Sequence, residues 1–229
     1  MRVEIYSDVV CPWCYIGERR FARALAAFPQ ADRVDVVYRS YQLDPGAPEK
    51  AVPLKQYLAR RFGGAVDGML ARVTENAAAE GIVMEWDRAL SVNTLTAHRL
   101  IGLAEREYGA KVQRALFEKL FEAHFTNGAD ISDHDQLADL AESVGMDRAR
   151  VQAYLASDEG LAEVQEAFEH ARRIGVRAVP TFVFDGEVAV EGAQPASVFL
   201  QVLEEVASRN AARGAAAADE ACTDGACAV

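Results

Sequence analysis

Polar and apolar positions along the chain fall into two periods. Arg2 to Asp8 is strand-like around the apolar-rich run Val3-Glu4-Ile5-Tyr6, and a helical pattern follows from Tyr15 to Phe28. Val34 to Leu43 alternates well enough for a second strand, until Asp44-Pro45-Gly46-Ala47-Pro48 breaks the pattern with turn residues. From about Leu54 to about Asp158 the helical period holds almost throughout. Leu116, Phe117, Leu120, Phe121, His124 and Phe125 share one helix face, and Leu137, Leu140, Ala141 and Val144 another. Gly81, Asn127-Gly128 and Gly145 punctuate these helices, and Ser132 is a candidate cap before Asp133-His134-Asp135. A further helix carries Leu161, Val164, Phe168, Ala171 and Ile174 in register and stops at Gly175. Thr181-Phe182-Val183-Phe184 reads as a strand, Asp185-Gly186 as a hairpin turn, and Glu187 to Glu191 as the returning strand. A last helix is expected from about Pro195 to Arg209, and the Ala-rich run from Ala211 to Ala218 reads as a flexible tail.

The order is βαβ, then a long helical insert, then αββα. With the insert excised, this is a shortened version of the βαβαββα order of a thioredoxin core. The expected fold class is α/β: a thioredoxin fold with a large all-helical domain inserted in the middle of the chain. Residues 1–44 and 158–209 would form the discontinuous thioredoxin-like domain, 45–157 the insertion, and 210–229 the tail.

Composition narrows the function. The chain has 229 residues, 51% of them hydrophobic, enough for a sizeable core. Its 24 basic and 35 acidic side chains give a net charge of −11, which argues against a nucleic-acid surface. No apolar stretch approaches the roughly 20 residues of a membrane helix, so no membrane partner is expected. Met1-Arg2 runs straight into the first strand without an apolar leader, so a cytoplasmic location is expected. All four cysteines lie at the extremities: Cys11 and Cys14, then Cys222 and Cys227. The cysteine-free stretch between them excludes a disulfide-stapled scaffold.

Cys11-Pro12-Trp13-Cys14 falls between the first strand and its helix. A helix N-terminus favours a thiolate, the species that attacks disulfides. Cys11, at the start of the helix, is the expected nucleophile and the more exposed thiol. Cys14, one turn in, would resolve the mixed disulfide. Pro12 suits the first helical position, and Trp13 offers an apolar platform beside the sulfurs. Val179-Pro180-Thr181 precedes the late strand, and Pro180 is a candidate cis proline. That would set the Val179 backbone beside Cys11, where an extended substrate could pair with it. A metal is not expected, because zinc would need two further ligands and the histidines form no spaced pair with the cysteines.

These residues carry a resemblance to the DsbA-like thioredoxin superfamily, and within it to the FrnE-type cytoplasmic dithiol–disulfide oxidoreductases. The matching segments run from Ser7 to Gly17, Ser91 to Leu100, Gly128 to Ser132 and Gly175 to Phe182. The resemblance implies a thioredoxin core, Cys11 as nucleophile, Cys14 as resolving thiol and Pro180 as the cis proline. The family borders on 2-hydroxychromene-2-carboxylate isomerases and kappa-class glutathione transferases, which typically carry serine near the position of Cys11. A glutathione-dependent isomerase or transferase is therefore the alternative reading, and the two cysteines favour dithiol exchange over it. Asn93, His98 and Arg99 are the insert's candidates for substrate contact, against helix capping and a polar helix face as their plain roles. Asp8 either tunes the thiol or ends the strand. Cys222 and Cys227 are candidates for an auxiliary redox pair that reaches back to Cys11. No bound cofactor is expected beyond the redox-active disulfide, with glutathione a candidate co-substrate. The expected partners are protein or small-molecule thiols and disulfides, acting on a monomer or homodimer.

Overall fold

The computed structural model describes the backbone of residues 1–223 and the side chains of residues 1–215. Its centre is a four-stranded sheet in the order β2-β1-β5-β6, built from β1 (Arg2–Ser7), β2 (Asp35–Ser40), β5 (Thr181–Phe184) and β6 (Val188–Glu191). β1 runs parallel to β2, with Ile5 opposite Tyr38, and antiparallel to β5, with Ile5 opposite Phe182. The parallel pair needs a crossover, which α1 (Pro12–Ala27) supplies. The antiparallel pair β5–β6 needs only a tight turn. Asp185 and Gly186 make it with φ of 49° and 71°, the left-handed conformation that Asp-Gly adopts at low cost.

Ile5, Phe182 and Val3 project from one face of the sheet, where α1 and α9 (Ala196–Thr223) cover them. Phe21 of α1 meets Phe182 at 5.3 Å and Phe199 at 5.6 Å between ring centroids. The free edge of β2 is closed by a side chain. The Gln113 amide donates to the Tyr38 carbonyl and accepts from the Tyr38 N–H, each at 3.1 Å, as a paired strand would.

Between β2 and β5 lie α2 (Leu54–Phe62), α3 (Val66–Ala78), α4 (Leu95–Leu103), α5 (Ala110–Glu122), α6 (His134–Ser143), α7 (Arg148–Leu155) and α8 (Leu161–Arg173). The insert also holds one strand pair that periodicity does not reveal, β3 (Val52–Pro53) with β4 (Leu90–Ser91). Two-residue strands are too short to carry a repeat. Asp133, and not Ser132, caps α6, its carboxylate accepting from Gln136 N–H at 2.9 Å. The Ser132 hydroxyl donates to Asp130 instead. The insert shares one hydrophobic core with the sheet. Phe121 stacks on Tyr15 of α1 at 4.9 Å, and Phe117 on Tyr38 of β2 at 4.7 Å.

The last helix is longer than its apolar periodicity. α9 continues through the Ala-rich run to Thr223, which replaces the flexible tail expected from residue 210 over that stretch. Alanine has the highest helix propensity, so an Ala-rich sequence continues a helix already nucleated by packing. Phe199, Leu203 and Val206 bury its first half. Asn210 then donates to Asp185 at 2.7 Å, and Arg213 forms a two-pronged pair with Glu187 at the hairpin. Position 222 lies on this helix, its side chain outside the described residues, and Cys227 lies outside them altogether.

Candidate active site

Cys11 is the N-cap of α1, with extended backbone angles, and Pro12 takes the first helical position. Strand β1 delivers the chain to this point, and the turn is fixed by Cys11 N–H donating to the Asp8 carbonyl at 3.0 Å. The Cys11 carbonyl accepts from Cys14 N–H at 3.0 Å and Tyr15 N–H at 3.3 Å, starting the helix. Both cysteines are free thiols.

The Val179–Pro180 bond is cis, as the sequence suggested. The Cys11 thiol donates to the Val179 carbonyl at 3.6 Å, within the range for sulfur donors. The Cys11 sulfur and the residue before the cis proline therefore occupy one site. The sulfur points to this carbonyl and makes no bond to a helix N–H as its side-chain cap. The expected difference in exposure is also small, since Cys11 is 4% and Cys14 1% exposed. Val179 and the cis proline after it lie against the Cys11 sulfur.

Gly17 makes that approach possible, and its role was not recognised from the sequence. A Cβ at this position would lie 2.9 Å from Pro180 Cγ and 3.4 Å from Ala193 Cα. A glycine inside a helix one turn after a CxxC is the available signal, because glycine costs about 1 kcal/mol in a helix interior and is kept there for close approach. Gly192 N–H, donating to the Pro180 carbonyl at 2.7 Å, holds the other side of the proline.

Trp13 is half-buried with the Arg72 guanidinium 5.7 Å from its ring centre. Val10, the residue before Cys11, lines a groove of about 310 Å³ walled by Leu43, Leu54, Leu58, Phe62 and Val92. Arg61, bonded to Asp44 and Tyr57, marks its rim. Leu43 and Phe62 are each 47% exposed, so the groove presents apolar surface next to Val10.

The insert residues expected to meet substrate are used otherwise. His98 is fully buried, its Nε2 3.0 Å from Asp8 Oδ1, behind a cavity of about 230 Å³ that Arg99 also lines. Arg99 is buried beside it, its guanidinium bonded to the carbonyls of Tyr154 at 3.1 Å and Glu159 at 2.8 Å. Asn93 Oδ1 accepts from Leu95 N–H at the start of α4 and from Gln42, while its amide donates to the Pro45 carbonyl. It ties the loop after β2 to the insert, and its polar atoms are committed. In each case the polar residue type gave no sign of which way the side chain faces.

Burial governs the electrostatics. It pushes the Cys14 thiol well up, Cys11 adds to the rise, and the Ser7 side chain and Asp8 backbone amide act the other way. The Glu18 carboxyl, one turn further along α1, is raised to about 7, first by burial and then by Glu118, with Arg114 opposing. His124 is lowered to about 4 by burial. Among the described residues no cluster of His, Cys, Asp or Glu could hold a metal ion, and no helix is long and apolar enough to cross a membrane.

A thioredoxin-type sheet that sets a buried CxxC helix start against a cis proline defines the class as thiol oxidoreductases of that fold. The chain belongs to the DSBA-like thioredoxin domain family, which it matches over residues 2–204. It is similar to a probable DsbA oxidoreductase of Streptomyces coelicolor, with 36% identity and a TM-score of 0.83, over 91% of this chain and 90% of that one. An uncharacterised Bacillus subtilis protein is 27% identical over 90% of this chain and 96% of its own length. The fold is also that of the cytosolic disulfide reductase DsbM of Pseudomonas aeruginosa, in a structure with GSH, at a TM-score of 0.64 and 17% identity, over 90% of this chain and 98% of that one.

Proposed function

We propose that this protein is a FrnE-type cytoplasmic dithiol–disulfide oxidoreductase that exchanges disulfides with protein or small-molecule substrates through Cys11 and Cys14. The observation that carries this is the Cys11 sulfur on the Val179 carbonyl, directly before cis Pro180. Cys11 attacks the substrate disulfide as the thiolate, one substrate sulfur leaves, and a mixed disulfide remains on Cys11. Cys14 attacks Cys11, the internal disulfide forms, and the second substrate sulfur leaves. In this reading the Val179 backbone pairs with an extended substrate, and Trp13 and the apolar groove next to Val10 take its side chains; the contact between Val179 and Cys11 supports it. The presence of GSH with the Pseudomonas reductase, and its cytosolic setting, support glutathione as co-substrate and the cytoplasm as location.

The test is turnover of insulin disulfides and refolding of scrambled ribonuclease in a glutathione buffer. Cys11→Ser is expected to abolish both. Cys14→Ser is expected to accumulate a mixed disulfide on Cys11, seen as added mass that dithiothreitol removes. Full turnover by Cys11→Ser would overturn the assignment.

A further inference from the structure

One residue between the two cysteines holds a cation. Trp13 lies in the first turn of α1, half-buried, and the Arg72 guanidinium of α3 sits over its ring, 5.7 Å from the centre. Arg72 is exposed, and among the described residues its guanidinium has no hydrogen-bond or ion-pair partner. Arg61, Arg20 and Arg23 differ in this respect: the first pairs with Asp44 and the other two with Glu80. Glu75, one turn along α3 from Arg72, is exposed and forms no ion pair with it.

Contact with an aromatic face holds a guanidinium without using its N–H groups. The donors of Arg72 therefore stay available, and their planar fork matches a carboxylate. The charge of the chain says which kind of anion can use them. With a net charge of −11, the protein repels a negatively charged molecule as a whole. Within a Debye length, about 8 Å at physiological salt, the local charge decides instead. A small disulfide docked at Cys11 meets little beyond that range. An acidic protein segment would bring its carrier under the field of the entire chain. The cation over Trp13 thus suits a small anionic disulfide better than an acidic protein.

We propose that Arg72, held over Trp13, is a specificity-determining residue that selects small disulfides carrying a carboxylate close to the sulfur. This rests on the dithiol reading above and names its substrate class. The Arg72 fork takes the carboxylate while Cys11 meets the neighbouring sulfur. Cys11, as the thiolate, forms a bond to that sulfur and the substrate S–S bond breaks. The first carboxylate-bearing thiolate leaves with the electron pair and takes a proton from water. Cys14 gives its proton to water and its sulfur bonds to Cys11, so the mixed disulfide breaks and the second thiolate leaves in the same way. The dithiol is oxidised by two electrons and the substrate disulfide reduced by two. Arg72 makes and breaks no covalent bond. It raises the share of encounters in which carboxylate and sulfur are both in place.

The experiment uses the full chain with Cys222→Ser and Cys227→Ser, which leaves Cys11 and Cys14 as its only thiols. The reduced protein is mixed with 3,3′-dithiodipropionate, 2-hydroxyethyl disulfide or cystamine. These share a short alkyl arm and end in a carboxylate, a hydroxyl or an ammonium. Acid quenching, then N-ethylmaleimide in denaturant, counts the remaining thiols by mass. Each rate constant is compared between a variant and this parent, so the leaving-group differences among the disulfides cancel. Arg72→Gln is expected to slow oxidation by dithiodipropionate about fivefold and to speed oxidation by cystamine about threefold, with 2-hydroxyethyl disulfide within about twofold. Arg72→Lys, which keeps the charge and loses the fork, is expected to recover dithiodipropionate to within about threefold. Arg33 lies beside Met1 at the start of β1, whereas the dithiol follows its end. Arg33→Gln removes the same charge there and is expected to leave all three rates unchanged. At about 1 M salt, where the Debye length is about 3 Å, the effect of Arg72→Gln should shrink to within twofold. Equal slowing of all three disulfides by Arg72→Gln would make Arg72 a prop for Trp13 and overturn the proposal. Rates unmoved by Arg72→Gln, or shifted as much by Arg33→Gln, would also overturn it and leave the dithiol reading intact. A parent that none of the three disulfides oxidises would sink the dithiol reading, and the selection with it.

Discussion

Gly17 and Glu18 sit side by side on α1, and each has a measurable consequence. Gly17→Ala in an open helix would stabilise by about 1 kcal/mol. Here the new methyl meets the Pro180 ring at 2.9 Å and the backbone of Ala193 behind it, so one of them shifts. The expected outcome is a net loss of about 1–2 kcal/mol in urea unfolding and at least a tenfold loss of insulin turnover, because Pro180 moves relative to Cys11. Unchanged turnover with raised stability would show that the ring has slack. Glu18 makes stability depend on pH. Burial raises its carboxyl from 4.5 to about 7 in the folded chain, so the folded state holds the proton more tightly between those values. Stability therefore falls as pH rises from about 4.5 to about 7 and is flat above. Glu18→Gln removes that fall: it should be close to neutral at pH 4.5 and stabilising by about 3 kcal/mol at pH 8. An offset that does not change with pH would refute the assignment. At this scale the sequence was legible where chemistry is local to the chain, as in Cys11, Cys14 and Pro180. The plain role given to Asn93, capping the start of a helix, agrees with its Oδ1 accepting from Leu95 N–H. The sequence was not legible for His98 or Gly17, whose surroundings are set by partners 90 and 163 residues away.

Elements were legible in proportion to how far their own sequence determines them. The βαβ start, the Asp185-Gly186 hairpin and the helix over Leu161 to Arg173 follow from period and turn chemistry, and the structure has them. The β3–β4 pair was hidden because tertiary contacts alone make it. α9 was cut short because its outer half has no apolar stripe to read. Asn210 and Arg213 fasten α9 to the hairpin at the end of the sheet where Arg2 N–H meets Asp185. The return of the second cysteine pair to Cys11, expected from the sequence, rests on Cys227 and on the side chain of Cys222, which lie outside the described residues. For that route, the rate at which a pre-oxidised tail oxidises the reduced Cys11–Cys14 pair should be independent of protein concentration. A rate that rises with concentration would show that the exchange runs between molecules.

For the molecule as a whole, the division into a sheet domain and a helical insert describes the chain order better than the energetics. The insert packs through Phe117 and Phe121 onto Tyr38 and Tyr15, which belong to the sheet and to the helix that bears the dithiol. Gln113 completes the hydrogen bonding of β2, so without α5 the sheet would present an open edge. Arg20 of α1 donates to Glu80 and Asn76 on the insert side and to the Ala193 carbonyl beside Pro180, joining three parts of the chain with one guanidinium. Asp8 and His98 make a fourth crossing, wholly out of water. Removing either part would expose aromatic faces and leave buried polar groups without partners, each worth about 1–3 kcal/mol. Neither part should therefore fold alone, and the protein should unfold as one unit. Calorimetry should give a single transition with a van't Hoff enthalpy equal to the calorimetric one, and a polypeptide of residues 45–157 should lack a cooperative transition. Two resolved transitions, or a folded 45–157 fragment, would mean that the insert carries its own stability. The active site would then be a junction between independent bodies, with the Asp8–His98 contact free to open. A single transition means that the geometry around Cys11 is held by the full core, and that substitutions deep in the insert, such as Phe117→Ala, reach the dithiol through stability before they reach it through chemistry.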